Sequence, residues 1–140
     1  MTTTAEWRGI PPSITPENRA FWEAAREHRF LLLRCTECGA WYWPYSGCRF
    51  HANRPYLANM EWQEASGRAK VFTFNIHYLQ FNPAYPTPYV YAQVETDEGP
   101  LFGTNIVNCA PESVYVGMPV RVVFDDVAPD ISLPKFEPVP

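Results

Sequence analysis

Two short cysteine motifs constrain this chain more than any other feature: Cys35-Thr36-Glu37-Cys38-Gly39 and Cys48-Arg49-Phe50-His51, with nine residues between Cys38 and Cys48. Two residues between paired ligands let one tight turn point both side chains at a single ion, and Gly39 permits the left-handed backbone such a turn needs. Together the motifs offer Cys35, Cys38, Cys48 and His51, a set suited to closed tetrahedral Zn2+. Four protein ligands leave no open position for water, so the expected metal is structural. Ordinary buried cysteines are the competing reading, but three of the four cysteines fall in one stretch with this spacing. His51 earns its place only by standing where the second pair needs a partner; a ligand from elsewhere in the chain is the alternative. A disulfide is disfavoured, because the opening MTTTAEWRGIPPS has neither the basic nor the apolar region of an export signal. The expectation is a cytoplasmic protein with reduced thiols. Cys109, the remaining cysteine, reads as a small buried hydrophobe.

A helical bundle is excluded by 15 prolines in 140 residues, about twice the usual share. Residues 1–14 read as an irregular arm. Thr15 is positioned to cap a helix over 16–28, with Pro16 and Glu17 in its first turn and Phe21, Trp22 and Ala25 on its apolar face. Residues 30–34 form a compact apolar strand leading into Cys35. From residue 62 the text is β-rich, with strands expected at Lys70–Phe81, Tyr89–Glu95, Leu101–Val107, Val120–Phe124 and Ile131–Phe136. In the first of these, Phe72, Phe74, Ile76 and Tyr78 alternate as one apolar face. So few short strands leave no exposed edge only by closing on themselves. The expected fold is therefore mainly β: an N-terminal arm and helix over 1–29, a zinc ribbon over 30–61 and a five-stranded OB-fold barrel over 62–140. A small SH3-like barrel is the alternative. No apolar run approaches the roughly 20 residues of a membrane span.

Charge is divided unevenly. Residues 1–60 carry seven Arg against five Glu, a balance of +2; residues 61–140 carry four basic against ten acidic residues, a balance of -6. Barrels and ribbons of this kind can bind single-stranded nucleic acid, the alternative function, but an acidic barrel is a poor partner for phosphates. No motif places a nucleophile beside a base: outside the metal motifs the candidates are Cys109, His28 and His77. The seven glycines are scattered, so no phosphate-cradling loop is present. Trp41, Tyr42, Trp43 and Tyr45 crowd one loop, and Tyr85 lies within the Pro-rich segment 82–88, with Tyr89 and Tyr91 just after it. Such rings either pack the ribbon on the barrel or form a partner surface, of which the 82–88 segment is the exposed part.

The Cys-x2-Cys-Gly turn followed by Trp41-Tyr42-Trp43-Pro44, the second turn and the barrel text resemble an acyl-CoA-associated OB-fold family, domain of unknown function 35, with a rubredoxin-like zinc ribbon. The barrel segments carrying the resemblance are Pro88–Glu95, Thr104–Cys109 and Val116–Val122, within a coverage of about residues 15–137. His51 departs from it, since the family usually has Cys there. The resemblance implies a non-catalytic accessory subunit of a thiolase-like acyl-CoA enzyme, a thiolase or an aldolase, in a heterotetramer. It would stabilise or bridge the partner and help enclose the CoA thioester. CoA phosphates call for cations, and Arg49, Arg54 and Lys70 are the candidates. Trp41, Trp43, Tyr45, Tyr85 and Tyr89 are the candidate partner contacts.

Overall fold

The computed structural model describes residues 7–140, so the first six residues of the expected N-terminal arm lie outside the described residues. The helix α1 spans Arg19–Arg26, shorter than the expected 16–28. Thr15 does not cap it. Instead the Asn18 side chain accepts the Thr15 N–H at 2.7 Å, and the Asn18 N–H reaches the Thr15 carbonyl at 3.3 Å. Pro16–Asn18 is thereby spent on a turn, and the helix starts after it. At the other end His28 takes a left-handed φ of 60° while Arg29 N–H returns to the Ala24 carbonyl at 2.9 Å, which closes the helix. Phe21, Ala24 and Ala25 are its buried face. Among the described residues no helix is long and apolar enough to cross a membrane.

Strands β1 (Leu31–Cys35), β2 (Trp41–Tyr42) and β3 (Met60–Glu64) form an antiparallel sheet in the order β2-β1-β3. β3 begins just before the expected 61/62 boundary and pairs back onto β1 from Leu31↔Glu64 to Cys35↔Met60. The remaining strands are β4 (Arg68–His77), β5 (Tyr89–Thr96), β6 (Leu101–Ile106), β7 (Pro119–Ala128) and β8 (Ile131–Pro138). They close into a barrel of order β4-β5-β6-β8-β7, antiparallel except where β6 meets β8 at Ile106↔Phe136. This is an OB-fold barrel. β7 outruns the expected Val120–Phe124 because it forms a tight hairpin with β8 across Pro129-Asp130.

β4 corrects the expected alternation. Its pairing with β5 passes from Val71↔Val94 directly to Thr73↔Gln93, which leaves Phe72 as an extra residue in a bulge. Before the bulge the odd-numbered Ala69 and Val71 face the core; after it the even-numbered Phe74 and Ile76 do. Phe72 is 52% exposed, and Tyr78 lies beyond the strand, 68% exposed.

An aromatic cluster joins the three parts. Phe21 of α1 lies 4.5 Å from Trp43, Trp43 lies 4.7 Å from Phe102, and Phe30 lies 5.1 Å from Phe102 and 5.8 Å from Phe136. Away from this cluster a polar clamp holds the barrel seam. Glu137 of β8 accepts from Asn108 at 2.6 Å and from Arg121 of β7 at 2.8 Å, and these two partners hold its carboxyl below the usual glutamate range. A depressed folded-state value contributes stability above the ordinary glutamate pKa, and that contribution is lost as pH falls through the depressed value. Glu137→Gln should therefore lower the melting temperature slightly at neutral pH and leave it unchanged in strong acid. Parallel thermal melts at the two pH values check this.

Candidate metal centre

β1 delivers Cys35 at its C-terminal end, and the chain turns at once. Gly39 N–H bonds the Cys35 carbonyl at 2.9 Å and Cys35 N–H bonds the Ala40 carbonyl at 2.9 Å, with Gly39 at φ 79°. A side chain at Gly39 would also meet the Arg34 guanidinium at 3.1 Å. That guanidinium donates to the Gly39 carbonyl at 3.0 Å and lies 4.7 Å from the Trp41 ring centre. The second turn is closed by His51 N–H on the Cys48 carbonyl at 3.2 Å.

The two turns bring four donor atoms, the Sγ of Cys35, Cys38 and Cys48 and a ring nitrogen of His51, within 4.8 Å of one another. A tetrahedral zinc with Zn–S of about 2.3 Å and Zn–N of about 2.0 Å sets ligand-to-ligand edges of about 3.5–3.8 Å. Here Cys38 Sγ lies 3.6 Å from Cys48 Sγ, and His51 Nδ1 lies 3.7 Å from both Cys35 Sγ and Cys48 Sγ. The donor set fits zinc in number and softness, and these three separations match tetrahedral edges.

Two further side chains address the sulfurs. The Tyr42 hydroxyl donates to Cys48 Sγ at 3.3 Å while accepting the Arg49 N–H at 3.1 Å, and the amide of buried Asn59 donates to Cys35 Sγ at 3.6 Å. Burial alone would push the Cys48 thiol up. The Tyr42 hydroxyl, the His51 ring and the Phe50 N–H outweigh it and bring Cys48 down to about 6. For Cys35 burial again raises the value, and the N–H groups of Cys38 and Glu37 bring it below the ordinary thiol range. Both buried sulfurs are thus held towards the thiolate that a metal requires. Neither Tyr42 nor Asn59 could be assigned this role from spacing. Tyr42 sits among rings that invite a packing reading, and Asn59 arrives only because β3 pairs with β1. Loss of such supporting hydrogen bonds costs about 10-fold or more in metal affinity. Tyr42→Phe is accordingly expected to weaken zinc retention by about that factor, measured by competition with a chromogenic chelator.

The other candidates are dispersed. Arg49 lines a cleft of about 670 Å3 with Gly39, Trp41, Phe50 and Glu98. Arg54 is held in a two-pronged pair with Glu37, both contacts 2.7 Å. Lys70 is exposed on β4 opposite Glu95 and Pro119. Trp43 packs into the aromatic cluster, Trp41 lies against Arg34, and Tyr45 is half-buried. Tyr89 stacks on His77 at 4.7 Å, and the Tyr85 hydroxyl accepts the Ile10 N–H at 2.7 Å. His28 meets Asp126 at 2.8 Å, and the Ser132 hydroxyl donates to the same carboxylate. The carboxylate stands between serine and histidine, so His28 is not placed to take the Ser132 proton. Cys109 packs half-buried against the core.

A zinc ribbon tied to an OB-fold barrel defines the class. Residues 22–49 match the family model of the ChsH2 rubredoxin-like zinc ribbon domain, and residues 62–125 match that of the ChsH2 C-terminal OB-fold domain. The ribbon match takes in Cys35, Cys38 and Cys48 and ends before His51. The chain is 33% identical over 111 residues to a DUF35 domain-containing scaffold protein of Methanocaldococcus jannaschii, covering 78% of this chain and 77% of that protein. It belongs to the DUF35 family. A solved structure described as Ltp2-ChsH2(DUF35) aldolase superposes with a TM-score of 0.81 at 32% identity, covering 91% of this chain and 98% of that one. The chain is also 33% identical over 129 residues to a probable enoyl-CoA hydratase alpha subunit of Thermomonospora curvata, covering 91% of this chain but only 39% of that protein's length.

Proposed function

We propose that this chain is a non-catalytic, zinc-holding subunit of an acyl-CoA enzyme complex. The likeness to the ChsH2(DUF35) chain of an aldolase, which extends over 98% of that chain, carries the reading. The related hydratase alpha subunit points to the same substrate class. The thiols that do face a base, Cys35 and Cys48 beside His51, are the metal donors, and this reading assigns the bond-making groups to a partner. The partner in this proposal is a thiolase-like thiolase or aldolase subunit, joined in a cytoplasmic heterotetramer.

Zinc bound by Cys35, Cys38, Cys48 and His51 would cross-link the two turns and fix the ribbon on the barrel. The CoA thioester would be held jointly with the partner. Arg49, which lines its cleft, and exposed Lys70 would meet CoA phosphates, while Arg54 contributes by holding Glu37. Trp41, Tyr45, Tyr85 and Tyr89 would contribute contacts to the partner, with Trp43 supporting them from the core. The deciding experiment is affinity purification of the intact chain from its own cells, followed by acyl-CoA turnover assays of the recovered partner. Recovery of a thiolase-like enzyme whose activity drops when the chain is withdrawn is the expected result. A lone monomer that alters no acyl-CoA activity would overturn the proposal.

A further inference from the structure

Between Lys70 and Glu95 the chain carries no Asp, Glu, Lys or Arg, although 19% of its residues are charged. Half of this segment is barrel strand, where neutrality is unremarkable. The other half, the β4–β5 connection, is on the surface. At its start Tyr78 is 68%, Leu79 67% and Phe81 85% exposed. The arm preceding α1 adds Ile10, 75% exposed, and is tied to the same loop: Ile10 N–H bonds the Tyr85 hydroxyl at 2.7 Å and the Asn82 amide bonds the Arg8 carbonyl at 3.4 Å.

The loop is also braced from within. Asn82 accepts the Ala84 N–H through its side chain at 2.8 Å and the Tyr85 N–H through its carbonyl at 2.9 Å. Large apolar side chains are thus held outward on a preorganised support, which reduces the ordering cost of binding. Beside them the Tyr85, Tyr89 and His77 rings line a cleft of about 610 Å3.

We propose that the Tyr78–Phe81 tip, with Ile10 and the adjoining ring-lined cleft, is the surface on which the catalytic subunit docks. The inference rests on the subunit role proposed above and adds its location. Depletion of charge with enrichment of aromatics marks the core of a protein interface. Lys135, the cation lining the cleft, is already paired with Asp125 at 2.6 Å, so tip and cleft together offer phosphates no uncompensated positive charge, and nucleic acid and the CoA headgroup are not the occupants. The Tyr115-Val116 turn, 56% and 66% exposed, is another apolar pair on the barrel, but charged Glu112 and Arg121 flank it in sequence.

The test is titration of the purified catalytic subunit recovered with the wild-type chain against three forms of the full-length protein. Leu79→Ser combined with Phe81→Ser should weaken binding by about tenfold or more, the scale of interface hot spots. Tyr115→Ser combined with Val116→Ser should leave binding unchanged. Zinc content and melting temperature are compared for all three forms. Hydrogen exchange on the unmodified complex gives a second readout that survives a misfolded variant: amides of 78–85 should gain protection on docking. Equal binding by the Leu79/Phe81 variant, or no protection of 78–85, overturns the inference while leaving the subunit role standing. Failure of the wild-type chain to hold any acyl-CoA enzyme overturns the role itself. Self-association that vanishes in the Leu79/Phe81 variant while enzyme binding persists, or flotation of the wild-type chain with neutral phosphatidylcholine vesicles, assigns the tip to a second copy or a lipid surface and likewise overturns it.

Discussion

Cys35→Ser is expected to release zinc and to unfold the ribbon while the barrel keeps its strands. Cys35 is 1% exposed, it ends β1, and its sulfur faces His51 and the Asn59 amide. A serine oxygen there is a poor zinc ligand and leaves three donors. Structural zinc supplies on the order of 10 kcal/mol of folding free energy in isolated fingers. Between residues 36 and 59 only Cys48 and Asn59 are buried, so the segment joining β1 to β3 has little apolar packing with which to replace it. The expected readout is zinc falling from one per chain towards none, with amide protection lost over 31–64 and kept over β4–β8. Cys38→Ser should lose the metal as well, but with less packing cost, because Cys38 is exposed. A Cys35→Ser protein that keeps one zinc and its β1–β3 protection would overturn the assignment of the site.

Phe21→Ala is expected to destabilise the whole molecule by about 3–5 kcal/mol, the usual cost of truncating a buried phenylalanine. The upper part of that range applies because the cavity would open between rings contributed by separate elements and could not collapse along one of them. Phe21 is 1% exposed and meets Trp22, Phe30, Trp43, Trp62 and Phe102, with centroid distances from 4.5 to 6.2 Å. Against a typical total of about 5–15 kcal/mol the loss is a large share. Denaturant unfolding followed by tryptophan fluorescence measures it, and Trp43 and Trp62 report directly from the cluster. A loss under about 1 kcal/mol would mean that helix and ribbon are not coupled to the barrel through this residue.

The metal centre was legible in the sequence as a candidate because its spacing is short: each ligand pair sits inside one turn, where local backbone geometry decides the outcome. The number and type of barrel strands were legible for a similar reason, since period-two alternation and Pro-Gly punctuation are local signals. What escaped depended on distant partners. Thr15 and Asn18 are both good capping types, and only the turn bonding between them decides which begins the helix. Asn59 gained its contact with Cys35 through the pairing of β1 with β3. The rings of Trp41 and Trp43 looked alike in the text, but one went to Arg34 and the other to Phe21 and Phe102. Tyr78, Leu79 and Phe81 read as the end of a strand, whereas β4 stops at His77 and releases them to the surface.

Phe72 shows what kind of change this barrel resists. Upstream of it β4 pairs with both β7 and β5; downstream it pairs with β5 alone. The extra residue bends the strand where its duties divide, and it does so through backbone length, with its ring left largely in solvent. Exchange of Phe72 for another residue leaves that bend intact. Its deletion would keep Val71 and Phe74 on their proper faces yet straighten the strand, pulling β4 away from β7 and opening the barrel. At this position the fold is tolerant of substitution and intolerant of a change in chain length, so a gap here marks architectural divergence more sharply than any loss of identity.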